Sequence, residues 1–249
     1  MIPFNFVYFF LAQILLSTAS AQIKRVNVTV YYETLCPFAK EFIVKQLHPV
    51  LEGNLSNYIN LNMIPYGKAV TTEHSNGTFT FECHHKAVEC YGNKIQACAL
   101  TIINSGKNTE NLGYNKDTID FIACLMNDLT PQSTREEVDT SVGSCIDAET
   151  APLLKSCASM PFGEQYLAYL GILTDRFQRP LGNVPTIVYN EKFSKTESDS
   201  SEKDFQKTLC SKLGKNTGAC SGSSISHIIN NLLFVMGLLV SGFRIATHT

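Results

Sequence analysis

Nine cysteines constrain this chain more than any other feature, and they are unevenly placed. Cys83, Cys90, Cys98, Cys124, Cys145, Cys157, Cys210 and Cys220 all lie after residue 80, while Cys36 stands alone. In an oxidising compartment an even set pairs and one thiol is left over. Cys36 is the simplest choice for that thiol. The sequence does not fix which cysteines pair, although Cys210 and Cys220 bracket a short polar loop, "CSKLGKNTGAC", and are the best single pair.

The ends of the chain place it in the secretory pathway. "FVYFFLAQILLS" is an apolar run of signal-peptide length, and Ala19 and Ala21 supply the small residues of a cleavage site. It is short for a membrane anchor, so residues 1–21 read as a signal peptide and the mature chain as starting near Gln22. At the other end, residues 221–249 carry small residues at Ser221–Ser224 and an apolar run from Leu232 to Phe243. That layout suits a GPI-attachment signal, against which the polar "RIATHT" ending and the short spacer argue; another membrane tether, with an apolar core of only twelve residues, or no tether are the alternatives. Asn27, Asn54 and Asn76 each begin an N-x-S/T sequon and are candidate glycan sites, with Asn76-Gly77 in a turn context. A net charge of −2 gives no reason to expect a nucleic-acid partner.

Residues 22–220 are enough for one domain. "KRVNVTVYYE" alternates as a strand, and "PFAKEFIVKQLHPVL" carries apolar residues at helical spacing. "YINLNMIPYG" reads as a second strand, parallel to the first through a right-handed crossover. "GTFTFEC" is a short strand candidate. Helical patterns such as "DTIDFIACLMNDL" and "EQYLAYLGILTDRF" then dominate to Phe177, and the inserted lobe spans about 83–177. "VPTIVYN" is a last strand, Thr196–Ser201 a serine-rich loop, and "EKDFQKTLCSKL" a last helix. The fold class is α/β: a thioredoxin-like fold with a disulfide-stapled helical insertion.

Cys36 sits where the first strand meets the first helix, followed by Pro37, which suits a first helical turn. A helix N-terminus turns unpaired N–H groups and a positive dipole end toward such a thiol, which predicts an exposed, acid-shifted thiolate. Dithiol reductases carry a second cysteine three residues on, which resolves the mixed disulfide; here that position is Ala39. Attack remains and resolution is lost. Pro185 opens the last strand and is a candidate cis-proline facing Cys36.

The densest cysteine cluster, "CHHKAVECYGNKIQAC", also offers His84 and His85. Zinc is the alternative reading, but disulfides compete for every thiol, and adjacent histidines cannot both face one ion on a helix. The reading is a disulfide-stapled lobe with surface histidines, no metal and no bound cofactor. The same stretch resembles the signature of the gamma-interferon-inducible lysosomal thiol reductases (GILT), C-Q-H-G-x2-E-C-x2-N-x4-C. Cys83, His85, Glu89, Cys90, Asn93 and Cys98 match, while His84 stands for the Gln and Lys86 for the Gly. The resemblance runs from about Val26 to Cys220. It implies a thioredoxin-like fold and reduction of disulfide-containing protein substrates in endosomes, lysosomes or the extracellular space. Of that family's C-x-x-C pair only the first cysteine carries over, to Cys36. The resulting expectation is a one-cysteine thiol oxidoreductase with cysteine or glutathione as co-reductant. The alternative is a catalytically impaired secreted or surface glycoprotein that keeps the fold as a binding module.

Overall fold

The computed structural model describes residues 25–104, 116–214 and 217–220. The signal peptide expected over 1–21 and the tether expected over 221–249 lie outside the described residues. No helix among the described residues is long and apolar enough to cross a membrane.

Strand β1 (Val26–Tyr32) is the middle of a three-stranded sheet of order β2-β1-β5. It pairs in parallel with β2 (Ile59–Pro65), from Val26 opposite Ile59 to Tyr32 opposite Pro65. It pairs antiparallel with β5 (Thr186–Tyr189), from Val28 opposite Tyr189 to Tyr31 opposite Thr186. The crossover between β1 and β2 is α1 (Pro37–Phe42), a π-helical stretch Ile43–Leu47, α2 (His48–Glu52) and a 3-10 turn Asn54–Tyr58. Strands β3 (Val70–Glu73) and β4 (Phe79–Glu82) form a separate antiparallel hairpin turning through Asn76-Gly77.

Among the described residues five helices follow before β5: α3 (Lys86–Ile102), α4 (Lys116–Asp128), α5 (Arg135–Cys145), α6 (Thr150–Ser159) and α7 (Pro161–Phe177). After β5 come α8 (Lys195–Lys203) and α9 (Phe205–Leu213). A β-α-β unit, a helical block and a final strand and helices on the same sheet make this the expected α/β, thioredoxin-like architecture.

The period-two alternation of β1 decides which core each side chain joins. Val26, Val28, Val30 and Tyr32 enter the larger core with Phe42, Ile43, Leu47, Leu125, Leu154 and Leu209. Tyr31 points to the opposite face and joins Ile64, Leu167, Leu170 and Val188. Its ring stacks on Phe177 at 4.5 Å between centroids. Phe42 meets Phe205 edge-on at 5.7 Å, which fixes α9 against the first helix.

Four disulfides brace the frame: Cys83–Cys90, Cys98–Cys157, Cys124–Cys145 and Cys210–Cys220. Cys98–Cys157 ties α3 to α6 and Cys124–Cys145 ties α4 to α5, so the helical block is cross-linked internally. Cys36 is free and buried.

One element departs from the sequence reading. Thr196–Ser201 is not a loop but the body of α8, N-capped by Ser194, whose hydroxyl accepts from the Glu197 N–H. Two of its serines bond β5, one at the backbone edge and one at a side chain. Ser198 Oγ accepts from the Ile187 N–H at 3.0 Å, and Ser201 Oγ pairs with the Tyr189 hydroxyl at 2.7 Å. The low helix propensity of serine points to a loop, and the outer edge of β5, which supplies Ser198 with a partner, is not visible in the local sequence. The expected last helix also breaks at Asp204, which caps α9 by accepting from the Lys207 N–H.

Candidate active site

Cys36 is the N-cap residue of α1, with Pro37 next in the first turn. Its thiol points into the protein, 6% exposed, and donates to the Val184 carbonyl oxygen at 3.7 Å. Val184-Pro185 is a cis peptide immediately before β5, and its Val184 carbonyl lies beside this thiol. Ala39 is fully buried one turn further along α1, and Phe38 between them is 71% exposed.

The thiol is not acid-shifted. Burial pushes the Cys36 thiol up, and the charges of Glu33 and Glu89 push the same way. The N–H groups of Ala39 and Phe38 oppose this as expected of a helix start, but they do not outweigh desolvation. The expected exposed, low-pKa thiolate is therefore corrected to a sheltered thiol. The sequence placed Cys36 on the turn correctly. It could not show the turn folded inward against Val184.

The turn ahead of Cys36 rests on a buried polar face of α3. Thr34 donates from both N–H and hydroxyl to Asn93 Oδ1, at 2.9 and 2.7 Å. Gln96 Nε2 donates to Thr34 Oγ1 at 3.1 Å, and Tyr32 donates to Gln96 Oε1 at 2.5 Å. Asn93, Gln96 and Glu89 are all fully buried on this face. Gly92 lets the two segments meet: a Cβ there would lie 2.7 Å from Thr34 Cγ2. The Asn93 side chain thus positions the segment that carries Cys36.

Beside it lies a carboxylate and imidazole cluster. Glu33 Oε1 accepts from the Lys68 N–H at 2.7 Å, in the turn after β2. Gly67 there has φ +60, and a Cβ on it would sit 2.0 Å from Glu33 Cγ. Glu33 Oε2 lies 3.4 Å from His84 Nδ1 and 4.0 Å from His85 Nδ1. Glu89 accepts from the His85 N–H at 3.0 Å and meets its Nδ1 at 2.6 Å. Burial, then Glu89, pushes the Glu33 carboxyl above the usual carboxylate range, against the Lys68 N–H and His84. Contrary to expectation, the two histidines do converge. They precede α3 rather than lying on it, and Lys86 at φ 67 turns the chain so that both rings approach Glu33.

The sequence reading missed Glu33, Thr34, Gln96 and Gly67. Glu33 and Thr34 were in view beside Cys36, but nothing local in sequence brings α3 across them.

Residues 27–149 match the family described as gamma interferon inducible lysosomal thiol reductase (GILT). The chain is 34% identical over 232 residues to GILT-like protein 1 of Drosophila melanogaster, covering 88% of this chain and 91% of that one. The chain belongs to the GILT family. A second GILT relative, the gamma-interferon-inducible lysosomal thiol reductase-like protein of Anopheles gambiae, is 32% identical over 226 residues, covering 87% and 90% of the two chains. Among solved structures, oxidised BdbD from Bacillus subtilis is similar with a TM-score of 0.49 and 14% identity, covering 76% of this chain and 87% of that one. In this GILT chain the signature cysteines Cys83 and Cys90 are bonded to each other, and Cys98 to Cys157. His85, Glu89 and Asn93 line the two polar clusters around the Cys36 turn.

Proposed function

We propose that the protein is a thiol oxidoreductase that reduces disulfides of protein substrates through Cys36 alone. The observation that carries this reading is the one free thiol, set at a helix start with the Phe38 and Ala39 N–H groups toward it and held by the Val184 carbonyl. The Cys36 thiolate attacks one sulfur of a substrate disulfide. That S–S bond breaks, a mixed disulfide forms, and the second substrate sulfur leaves as a thiolate that takes a proton. No cysteine at position 39 can attack the Cys36 sulfur in turn. A small thiol does so, releasing the substrate as a dithiol and leaving its own sulfur on Cys36. A second small-thiol molecule restores Cys36, and the pair departs as a disulfide. Cysteine or glutathione supplies both equivalents.

Phe38, exposed beside the buried thiol, offers an apolar contact to a substrate chain. The four disulfides suit an oxidising compartment, and an endosomal, lysosomal or extracellular destination is the proposed one. Asn54 and Asn76 are the proposed glycan sites. Asn76 is held in its turn by the Thr78 N–H and hydroxyl, both donating to its Oδ1.

A second reading keeps the fold as a binding module without turnover, and the depth of the Cys36 thiol favours it. An insulin-reduction assay with and without added small thiol separates the two. Slow turnover that needs the small thiol and disappears in Cys36→Ser supports the enzyme. No turnover from folded protein at any thiol concentration supports the module.

A further inference from the structure

Three groups of side chains among the described residues bring together atoms able to hold a metal ion. Cys124 and Cys145 of one are spent in a disulfide. In the second, Lys116 already sits between Glu52 and Asp120, at 2.6 and 2.7 Å, and supplies the positive charge itself. The third, Glu33 with His84 and His85, has no such cation.

Glu33 is 1% exposed and its neighbour Glu89 is fully buried. Among the described residues neither has a lysine or arginine partner, and their ion-pair partners are the two imidazoles. Two buried carboxylates that have backbone N–H donors and imidazoles but no lysine or arginine are costly to hold without a compensating charge. The donor geometry suits that charge. Glu33 Oε1 is committed to the Lys68 N–H, which leaves Oε2 aimed at both rings. The rings are 4.5 Å apart between centroids, each with Nδ1 toward the carboxylates. A tetrahedral zinc ion with bonds of about 2.0–2.1 Å sets its ligand atoms about 3.4 Å apart. Glu33 Oε2 to His84 Nδ1 already has that spacing, at 3.4 Å, and Glu33 Oε2 to His85 Nδ1 is 4.0 Å.

We propose that Glu33, His84 and His85 form a three-residue Zn2+ site next to the Cys36 turn. Ligation through His85 Nδ1 breaks its 2.6 Å contact with Glu89 Oε2. His84, whose side chain is 56% exposed, is the open side by which the ion enters. From sequence, zinc is disfavoured because disulfides compete for every thiol and adjacent histidines on a helix cannot both face one ion; here both histidines precede α3. The present donors are oxygen and nitrogen, so disulfide formation does not compete. Two imidazoles and a carboxylate favour zinc over calcium or magnesium, which prefer all-oxygen shells.

The test is calorimetric titration of the disulfide-intact mature protein with Zn2+, Ca2+ and Mg2+. Cys36→Ser serves as background, so that the free thiol cannot contribute. One Zn2+ per chain is expected, with no binding of the other two ions. His84→Gln, a change at a half-exposed position, should keep the far-ultraviolet circular dichroism and weaken Zn2+ binding by about tenfold or more. Zinc X-ray absorption should show imidazole and oxygen neighbours and no sulfur. Absent Zn2+ binding, affinity unchanged in His84→Gln, or a sulfur neighbour would each overturn the site.

Discussion

The Cys36 thiol donates to the backbone carbonyl of Val184, 148 residues further along the chain, at 3.7 Å. This contact joins the two halves of the reactive centre, because β1 and β5 are sheet neighbours although the helical block separates them in sequence. It also explains the chemistry of the thiol. A sulfur turned inward loses solvent, and desolvation disfavours its anion.

The first prediction concerns pH. Cys36 should react with iodoacetamide more slowly than free cysteine at neutral pH, and its rate should reach half-maximum above the free-thiol value of about 8.5. Glu33→Gln removes one of the charges that push the thiol up and should move that midpoint down. The stability sign follows. A thiol raised in the folded state binds its proton more tightly there, so its contribution to stability is kept at low pH and lost as pH rises through the folded value. Urea unfolding at pH 7 and pH 9.5, compared with Cys36→Ser, reads this: the wild type should lose more stability than the variant on the alkaline side.

A second prediction restores the missing step. Ala39→Cys should raise insulin-reduction turnover and lessen its dependence on added small thiol, because a thiol one turn from Cys36 resolves the mixed disulfide internally. Ala39 is fully buried, so the added sulfur should cost about 1–3 kcal/mol by overpacking, which denaturant unfolding will measure. Rates unchanged in a folded variant would mean that more than one residue separates this site from a dithiol reductase.

A third prediction tests the turn into α3. Lys86 has φ 67, a left-handed conformation that a Cβ disfavours. Lys86→Gly should stabilise the protein by about 1 kcal/mol, read as a higher urea midpoint at unchanged slope. A lower midpoint would show that the Lys86 side chain contributes more than its backbone costs.

A fourth concerns the helical block. Cys98–Cys157 closes a separation of 59 residues between α3 and α6. Replacing both with alanine should cost about 4 kcal/mol by loop-closure entropy. Because α3 carries Asn93 and Gln96, the loss should also loosen the Cys36 turn, measured as faster alkylation of Cys36 in the double variant.

Much of this architecture was written in local pattern. The alternation of "VNVTVYY" gave β1 and its two faces, and the position of Cys36 before Pro37 gave the start of α1. Parity of the cysteines singled out Cys36. What local pattern could not supply was long-range apposition. The polar face of Glu89, Asn93 and Gln96 looks like a solvated helix side until α3 is laid across Tyr32 and Thr34. The same crossing buries Glu33, gathers His84 and His85, and turns a helix start that should sharpen a thiolate into one that shelters a thiol. Ser198 and Ser201 misled for the same reason, since their partners lie on a strand edge that the sequence alone does not reveal.

The central claim is that Cys36 attacks disulfides and cannot resolve them by itself. Incubating the mature protein with glutathione disulfide, quenching with acid and mapping peptides by mass spectrometry tests it directly. The predicted result is a single glutathione adduct on Cys36 that persists until small thiol is added, with the four structural disulfides intact and no adduct in Cys36→Ser. A folded protein whose Cys36 stays unmodified, or an adduct on any other cysteine, would contradict it.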